Sequence, residues 1–286
     1  MTTPQSDGLL SATQVRGLAT ELGLRPTKQW GQNFVIDANT VRKIARLSGV
    51  GPTDQVVEVG PGLGSLTLAL LERAGGVTAV EVDPKLARRL PVTVARFAPT
   101  RAANLQVVHG DALRTRELPD PAPVALVANL PYNVSVPVVL SYLEWFPSIT
   151  RVLVMVQWEV AERLAAPPGS RTYGVPSAKA AWYAQVRLVD RVGRNVFWPA
   201  PNVDSGLVEM IRREPPETSV TRDVVFKVID AAFAQRRKTL RSALATWAGS
   251  PVLAEQALRA AGVDPGLRGE RLGIDEFAAI AAHRPA

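Results

Sequence analysis

Asn129-Leu130-Pro131-Tyr132 combines residue types suited to one kind of transfer. The lone pair of an aromatic amine is delocalised into its ring, so the nitrogen is a poor nucleophile. Its protons acidify once a new bond forms, however, so it needs hydrogen-bond acceptors rather than a strong base. The Asn129 side-chain oxygen and the Leu130 carbonyl offer two acceptors, which favours a pyramidal nitrogen with its lone pair turned toward an incoming methyl group. Pro131 stiffens that geometry, and Tyr132 presents a face on which a base extruded from its stack can lie. An asparagine cap on a proline loop with a packed tyrosine would have the same sequence, so the setting has to decide.

The setting is Val56-Val57-Glu58-Val59-Gly60-Pro61-Gly62-Leu63-Gly64-Ser65-Leu66-Thr67. β-Branched residues around one acid predict a short buried strand, alternating glycines a turn, and Leu66, Leu68, Leu70 and Leu71 a helix. Gly60, Gly62 and Gly64 permit positive φ or close approach of a ligand. Their spacing is not the dinucleotide Gly-x-Gly-x-x-Gly, and Glu58 just before the turn would repel a pyrophosphate. A carboxylate there suits a cationic ligand, such as the sulfonium and ammonium of S-adenosylmethionine (SAM). The competing explanation is an ordinary glycine turn in a doubly wound sheet.

Other acids fall at strand ends, where open α/β sheets bind ligands. Val77 to Asp83 is a second buried strand whose Glu81 is placed to accept both ribose hydroxyls. Leu105 to Val108 leads into Asp111, which is placed to accept from an adenine amino group. Val124 to Ala128 ends in the Asn-Leu-Pro-Tyr segment itself.

Composition narrows the chemistry. The 286 residues are 47% hydrophobic and 21% charged, enough for a substantial core, and a net charge of +7 favours an anionic partner, nucleic acid or a membrane surface. There is no cysteine, and His109 and His283 are the two histidines. That excludes disulfides, thiolate nucleophiles and cysteine or multi-histidine metal sites, so no metal is expected. Group transfer from an activated cofactor remains. Met1 to Gly8 lacks the basic and apolar regions of a signal peptide, and the most apolar stretch, Val124 to Phe146, is broken by Asn129, Pro131, Asn133 and Pro137. A soluble cytoplasmic protein is expected.

Residues 9–22 predict a helix, as do Asn39 to Leu47, and Pro91 should kink the helix that Pro84 opens. Between the first two helices, Lys28 to Asp37 is either a lid or a surface loop whose Phe34 plugs the core. A helix over Val136 to Trp145, a strand over Arg151 to Gln157, a short helix over Glu159 to Leu164 and a long functional loop over Ala166 to Gly174 follow. Strand pattern resumes over Trp182 to Val192 and again over Gly206 to Ile211. Phe197, between them, is either a second platform for the base or a core residue; spacing favours the core. Glu214-Pro215-Pro216-Glu217 marks a boundary, giving residues 1–213, with a helical extension over 1–50, and residues 218–286. The second part reads as helices over Asp223 to Ala234, Arg237 to Trp247, Val252 to Ala261 and Asp275 to His283. Arg236, Arg237, Lys238 and Arg241 at its head form either a solvated face or a phosphate-binding edge.

Taken together, these motifs resemble the small-subunit ribosomal RNA adenine dimethyltransferases of the KsgA type, over nearly the whole chain from Lys28 to about Ala245. Gly31-Gln32-Asn33-Phe34 resembles the family's N-terminal motif, with Val35 where leucine is usual. Glu58 to Gly64, Glu81 and Asp111 match the cofactor motifs, and Asn129 to Ser135 the methyl-transfer motif. Phe197 to Ser205 and Ala232 to Leu240 match two further signatures. The resemblance implies an α/β class I SAM-dependent methyltransferase fold, Rossmann-like, with a mostly parallel seven-stranded sheet and a small all-α C-terminal domain. It implies SAM as cofactor, held by Asn33, Val35, Glu58, Gly60, Gly62, Gly64, Glu81, Asp111 and Asn129. Asn129, Leu130, Pro131 and Tyr132 would be catalytic, with Phe197 raised to partner of Tyr132, and Arg236, Arg237, Lys238 and Arg241 would meet RNA. The implied reaction is four methyl transfers to the N6 atoms of two adjacent adenosines near the 3′ end of 16S rRNA in the immature small subunit, by an expected monomer without a membrane or metal partner. Two departures lie on the RNA side: Trp158 within an otherwise Gln-Lys-Glu motif, and Val175 to Ala178 after Tyr173-Gly174. The alternatives are a macrolide-resistance methyltransferase acting on large-subunit RNA, and a non-catalytic RNA- or DNA-binding factor on the same fold. Leu130 and the Gln235 to Leu240 run weigh against the first, and intact Glu81, Asp111, Asn129 and Tyr132 against the second.

Overall fold

A computed structural model of the protein describes residues 8–24 and 33–284. Two compact units emerge. One comprises the chain up to Ala161 together with Arg187–Ile211, and the other Glu162–Val186 together with everything from Arg212 onward.

In the first unit, α1 (Ala12–Glu21), β1 (Phe34–Val35) and α2 (Ala38–Leu47) lead into alternating strands and helices. These are β2 (Gln55–Val59), α3 (Ser65–Leu71), β3 (Gly76–Glu81), α4 (Pro84–Phe97), β4 (Leu105–His109), β5 (Ala125–Asn129), α5 (Ser135–Trp145) and β6 (Arg151–Gln157). After α6 (Trp158–Leu164) and α7 (Val175–Tyr183) come β7 (Ala184–Val192), β8 (Phe197–Trp198) and β9 (Ser205–Arg212). Among the described residues a seven-stranded sheet has the order β4-β3-β2-β5-β6-β9-β7. The first five strands pair in parallel, and β9 lies antiparallel on β6. This is the class I methyltransferase architecture. The central strands read as continuous apolar runs because helices cover such a sheet on both sides. The helix predicted after the glycine turn is present and buried at all seven positions. Helix α4 runs through Pro91 from Pro84 to Phe97. No described helix is long and apolar enough to cross a membrane.

Phe34↔Trp198 and Val35↔Phe197 pair β1 with β8 in a small antiparallel sheet, too short for any sequence period to reveal. Within the segment read as a lid or plug, Phe34 is 7% exposed; Lys28 to Gln32 lie outside the described residues.

The second unit holds α7 and α8 (Arg222–Ala234), α9 (Leu240–Ala243), α10 (Ala245–Ala248), α11 (Pro251–Ala260) and α12 (Ile274–Ala282). It also takes in residues 162–186, upstream of the Glu214 to Glu217 boundary that the sequence predicts. The reason is aromatic packing. Trp182 and Tyr183 set their edges on Phe226 at 6.3 and 6.1 Å, and Tyr173 lies 5.8 Å from Phe233 and donates to the Leu272 carbonyl at 2.8 Å. Helix α7 replaces the beginning of a predicted strand; Ala178, Ala180 and Ala181 give it little hydrophobic periodicity to read. The helix expected from Arg237 begins only at Leu240, because Gln235 to Thr239 forms a turn closed by Lys238 N–H on the Gln235 carbonyl at 2.8 Å.

Candidate active site

A cavity of about 420 Å³ opens at the carboxyl ends of β2, β3 and β5, within the ~300–1,000 Å³ range of small-molecule sites. The glycine turn forms one wall. Gly60, Gly62 and Gly64 all have positive φ, of 69°, 59° and 96°. At Gly62 the need is double, since a Cβ would lie 3.0 Å from the Phe34 ring. Gly62 N–H donates to Glu81 Oε2 at 3.1 Å, while Glu81 Oε1 accepts from Asp83 N–H at 2.9 Å. Glu81 therefore ties the turn to the end of β3 and keeps lone pairs for a ligand. Burial raises its pKa, against the lowering effect of those two amides. Glu58 is 1% exposed and accepts from Thr67 Oγ1 at 2.6 Å. Burial pushes its pKa up to about 8; the Thr67 hydroxyl opposes this and the Glu81 charge adds to it. With no cation bound, burial thus favours the protonated form of Glu58 well above the usual carboxylate range.

At the far end, Asp111 accepts from Leu113 N–H at 2.9 Å and sits 3.7 Å from Arg114 Nε. Asn129, the last residue of β5, donates from Nδ2 to the Asn33 carbonyl at 3.2 Å. That bond fixes which way the amide is turned and leaves Oδ1 to accept. Leu130 N–H donates to the Met155 carbonyl at 3.0 Å, anchoring the following segment to β6. The Tyr132 hydroxyl lies 3.2 Å from Ser205 Oγ, which holds the half-buried ring in place, and burial raises its pKa.

Asn33, Val35, Glu58, Gly60, Gly62, Glu81, Asp111, Asn129, Leu130, Pro131 and Tyr132 all line this cavity. Two residues expected there do not. Gly64 is instead the N-cap of α3, where a Cβ would come within 2.9 Å of Leu90. Phe197 is 3% exposed in the core cluster and pairs through its backbone with Val35. Thr67, Ser205 and the Asn33 carbonyl were missed as the partners that orient Glu58, Tyr132 and Asn129, because each contact joins segments remote in sequence or on opposite sides of a turn.

Three carboxyl groups and no cationic side chain line the cavity among the described residues. That donor set suits a ligand with positive charge, hydroxyls and an amino group. Replacing Glu81 by Ala should weaken SAM binding by roughly 1–3 kcal/mol, the cost of stranding hydrogen-bonded partners. Calorimetric titration with SAM checks this, and unchanged affinity would remove Glu81 from the ligand site.

The model of one family, ribosomal RNA adenine dimethylase, matches residues 23–282. The chain belongs to that family. Its relatives include the ribosomal RNA small subunit methyltransferase A of Streptomyces avermitilis, 64% identical over all of this chain and 97% of that protein. The corresponding Thermobifida fusca protein is 66% identical over 97% of this chain and 96% of its own. Among solved structures, the 23S rRNA methyltransferase ErmE superposes with a TM-score of 0.64 at 27% identity, covering 88% of this chain and 99% of that one. A dimethyladenosine transferase from Plasmodium falciparum gives 0.71 at 24% identity over 85% and 94%, a likeness of fold. This dimethylase is a SAM-dependent enzyme, and the carboxyl-lined cavity suits that cofactor.

In the helical unit of the dimethylase, the expected RNA-binding cations divide. Arg236 Nη2 donates to the carbonyls of Arg171 and Tyr173 at 3.1 and 2.8 Å and lies 3.5 Å from Glu270 Oε2. Through Nη2 it clasps the 166–174 loop. Arg241 is paired with Glu255 at 3.0 Å. Arg237 and Lys238 are exposed on the turn after α8. The sequence run could not reveal this division, because the partners lie 65 and 63 residues from Arg236.

Proposed function

We propose that this dimethylase transfers methyl groups from SAM to the N6 atoms of two adjacent adenosines near the 3′ end of 16S rRNA, within the immature small subunit, as a cytoplasmic monomer. The observation that carries this reading is the Asn129 amide, oriented by the Asn33 carbonyl at the mouth of a carboxyl-lined cavity. When bound, SAM supplies an electrophilic methyl group on a sulfonium. The chain's own residues do the rest. Asn129 Oδ1 and the Leu130 carbonyl accept the two amino protons of the adenine, Pro131 limits the freedom of that segment, and Tyr132, steadied by Ser205, supports the ring. Glu81 and Asp111 take the hydroxyls and the amino group of the cofactor's nucleoside, and Glu58 answers its positive charge. No general base is required, because the nitrogen loses its proton after the bond has formed. A structured RNA must give up the stacking of the target base, so the site reads an unstacked adenine.

Full-length identity above 60% with small-subunit methyltransferases favours this reading over a large-subunit one. The test is transfer of labelled methyl from SAM to unmethylated small and large subunits, assayed separately, with nucleoside analysis of the digest. Dimethyladenosine in the small subunit alone is the expected result; label in the large subunit would assign the resistance-type reaction.

Arg237 and Lys238 supply phosphate contacts on this reading, whereas Arg236 holds the loop. Changing Arg237 and Lys238 to Ala together should lower the salt slope of RNA binding by about 1–2. Arg236→Ala should leave the slope unchanged and lower the melting temperature, with faster proteolysis of the 166–174 loop. A slope change in Arg236→Ala alone would reverse the assignment.

A further inference from the structure

The dipeptide Asp204-Ser205 connects two aromatic residues. Ser205, fully buried at the start of β9, reaches the Tyr132 hydroxyl with its Oγ. The Asp204 carbonyl accepts from Trp158 N–H at 2.9 Å, and its carboxylate accepts from Arg191 Nε and Nη2 at 2.9 and 2.8 Å and from Arg194 N–H at 3.3 Å. The Arg191 guanidinium lies 4.7 Å from the centre of the Trp158 ring. Trp158 follows Gln157, which pairs with Ser205 across the β6–β9 ladder. The tryptophan therefore stands at the carboxyl end of β6, beside the strand whose end carries Asn129 and Tyr132. The reaction at Tyr132 makes no use of it.

A half-buried indole carrying a guanidinium is a surface suited to nucleobases: both groups are flat, and both stack on the π-face of any base. Asp204 already neutralises Arg191, which makes the pair a poor phosphate ligand and leaves stacking as its main capability. Extruding one adenine also strips a stacking partner from its neighbour in the strand, at a cost of a few kcal/mol. A second flat surface close to the first would offset that loss. We propose that the Trp158–Arg191 pair receives, by stacking, the base next to the adenosine held at Tyr132. This inference rests on the proposed RNA substrate and assigns the indole a contact that determines substrate affinity.

The experiment compares wild type, Trp158→Leu and Trp158→Phe for binding to unmethylated small subunits over a series of salt concentrations. SAM affinity and melting temperature are measured on the same preparations. Trp158→Leu is expected to bind subunits about tenfold more weakly, with the salt slope and SAM affinity unchanged, because a stacking contact releases no counterions. Trp158→Phe, which keeps an aromatic face, should retain most of the affinity. Subunit binding by Trp158→Leu within twofold of wild type would overturn the proposal. So would parallel losses of SAM affinity and melting temperature, or an equal loss in both variants, either of which would make Trp158 a packing residue of the sheet end. Dimethyladenosine formation by wild type in the same subunits reports separately on the substrate, so a failure there is distinguishable from a failure of the stacking contact.

Discussion

Asn129→Ala should leave SAM affinity within a few-fold of wild type and reduce methyl transfer by about 10²–10³-fold. The size follows from removing one preorganised hydrogen-bonding group aimed at charge that develops only in the transition state. The amide is placed to do this because its Nδ2 is held by the Asn33 carbonyl at 3.2 Å, so its oxygen is committed before the substrate arrives. Asn129→Asp sharpens the test. It keeps an acceptor of the same size but sets a second oxygen against the Asn33 carbonyl, so the donor that orients the group is lost. The aspartate variant should therefore be impaired as well, although it carries an acceptor. Single-turnover methylation of small subunits, with calorimetry for SAM, separates the steps. Equal loss of cofactor binding and turnover in Asn129→Ala would refute the division of labour between this residue and the acids.

The second large effect concerns pH. Glu58 has a folded pKa of about 8 against an ordinary value of 4.5, because burial disfavours its charged form more than the Thr67 hydroxyl favours it. Between those values the folded state binds more protons than the unfolded one, so unfolding free energy falls as pH rises. The stability is fully present below about 4.5 and is lost by the time pH has passed about 8. A tenfold difference in proton affinity between the two states is worth about 1.4 kcal/mol, so the change over this window is on the order of a few kcal/mol. Glu81, raised in the same direction by burial, adds to the slope. Cofactor-free wild type should thus melt at progressively lower temperature from pH 5 to pH 9. Glu58→Gln, which still accepts from Thr67 but does not titrate, should show a markedly flatter curve. A wild-type curve no steeper than that of Glu58→Gln would show that Glu58 does not titrate in this window. A cationic ligand beside Glu58 stabilises its ionised form, so SAM should protect wild type most at the alkaline end.

Much of the site was legible because it is written in short runs. Glu58 to Gly64 are neighbours in the chain, and a turn with three positive-φ positions admits few residues other than glycine. Asn129 to Tyr132 are likewise contiguous. Glu81 and Asp111 could be placed by strand-end position, since parallel strands buried on both faces announce themselves as apolar runs. The charged run after Phe233 was less informative. Its cations look equivalent in sequence and all three are exposed, yet Arg236 alone reaches two carbonyls of a loop more than sixty residues away through its Nη2.

Local sequence by itself therefore determined the alternating strands and helices, the positive-φ turn, the acids at the strand ends and the acceptor segment after β5. Those features depend on backbone sterics and on hydrophobic period, both of which act over a few residues. Tertiary structure alone decided that Asn33 orients Asn129, that Ser205 steadies Tyr132, that Phe197 lies in the core beside Val35, and that residues 162–186 pack with the helical unit. Each of these outcomes depends on which distant segments share a surface once the apolar faces are buried, and one residue's partner is then fixed by the path of the whole chain.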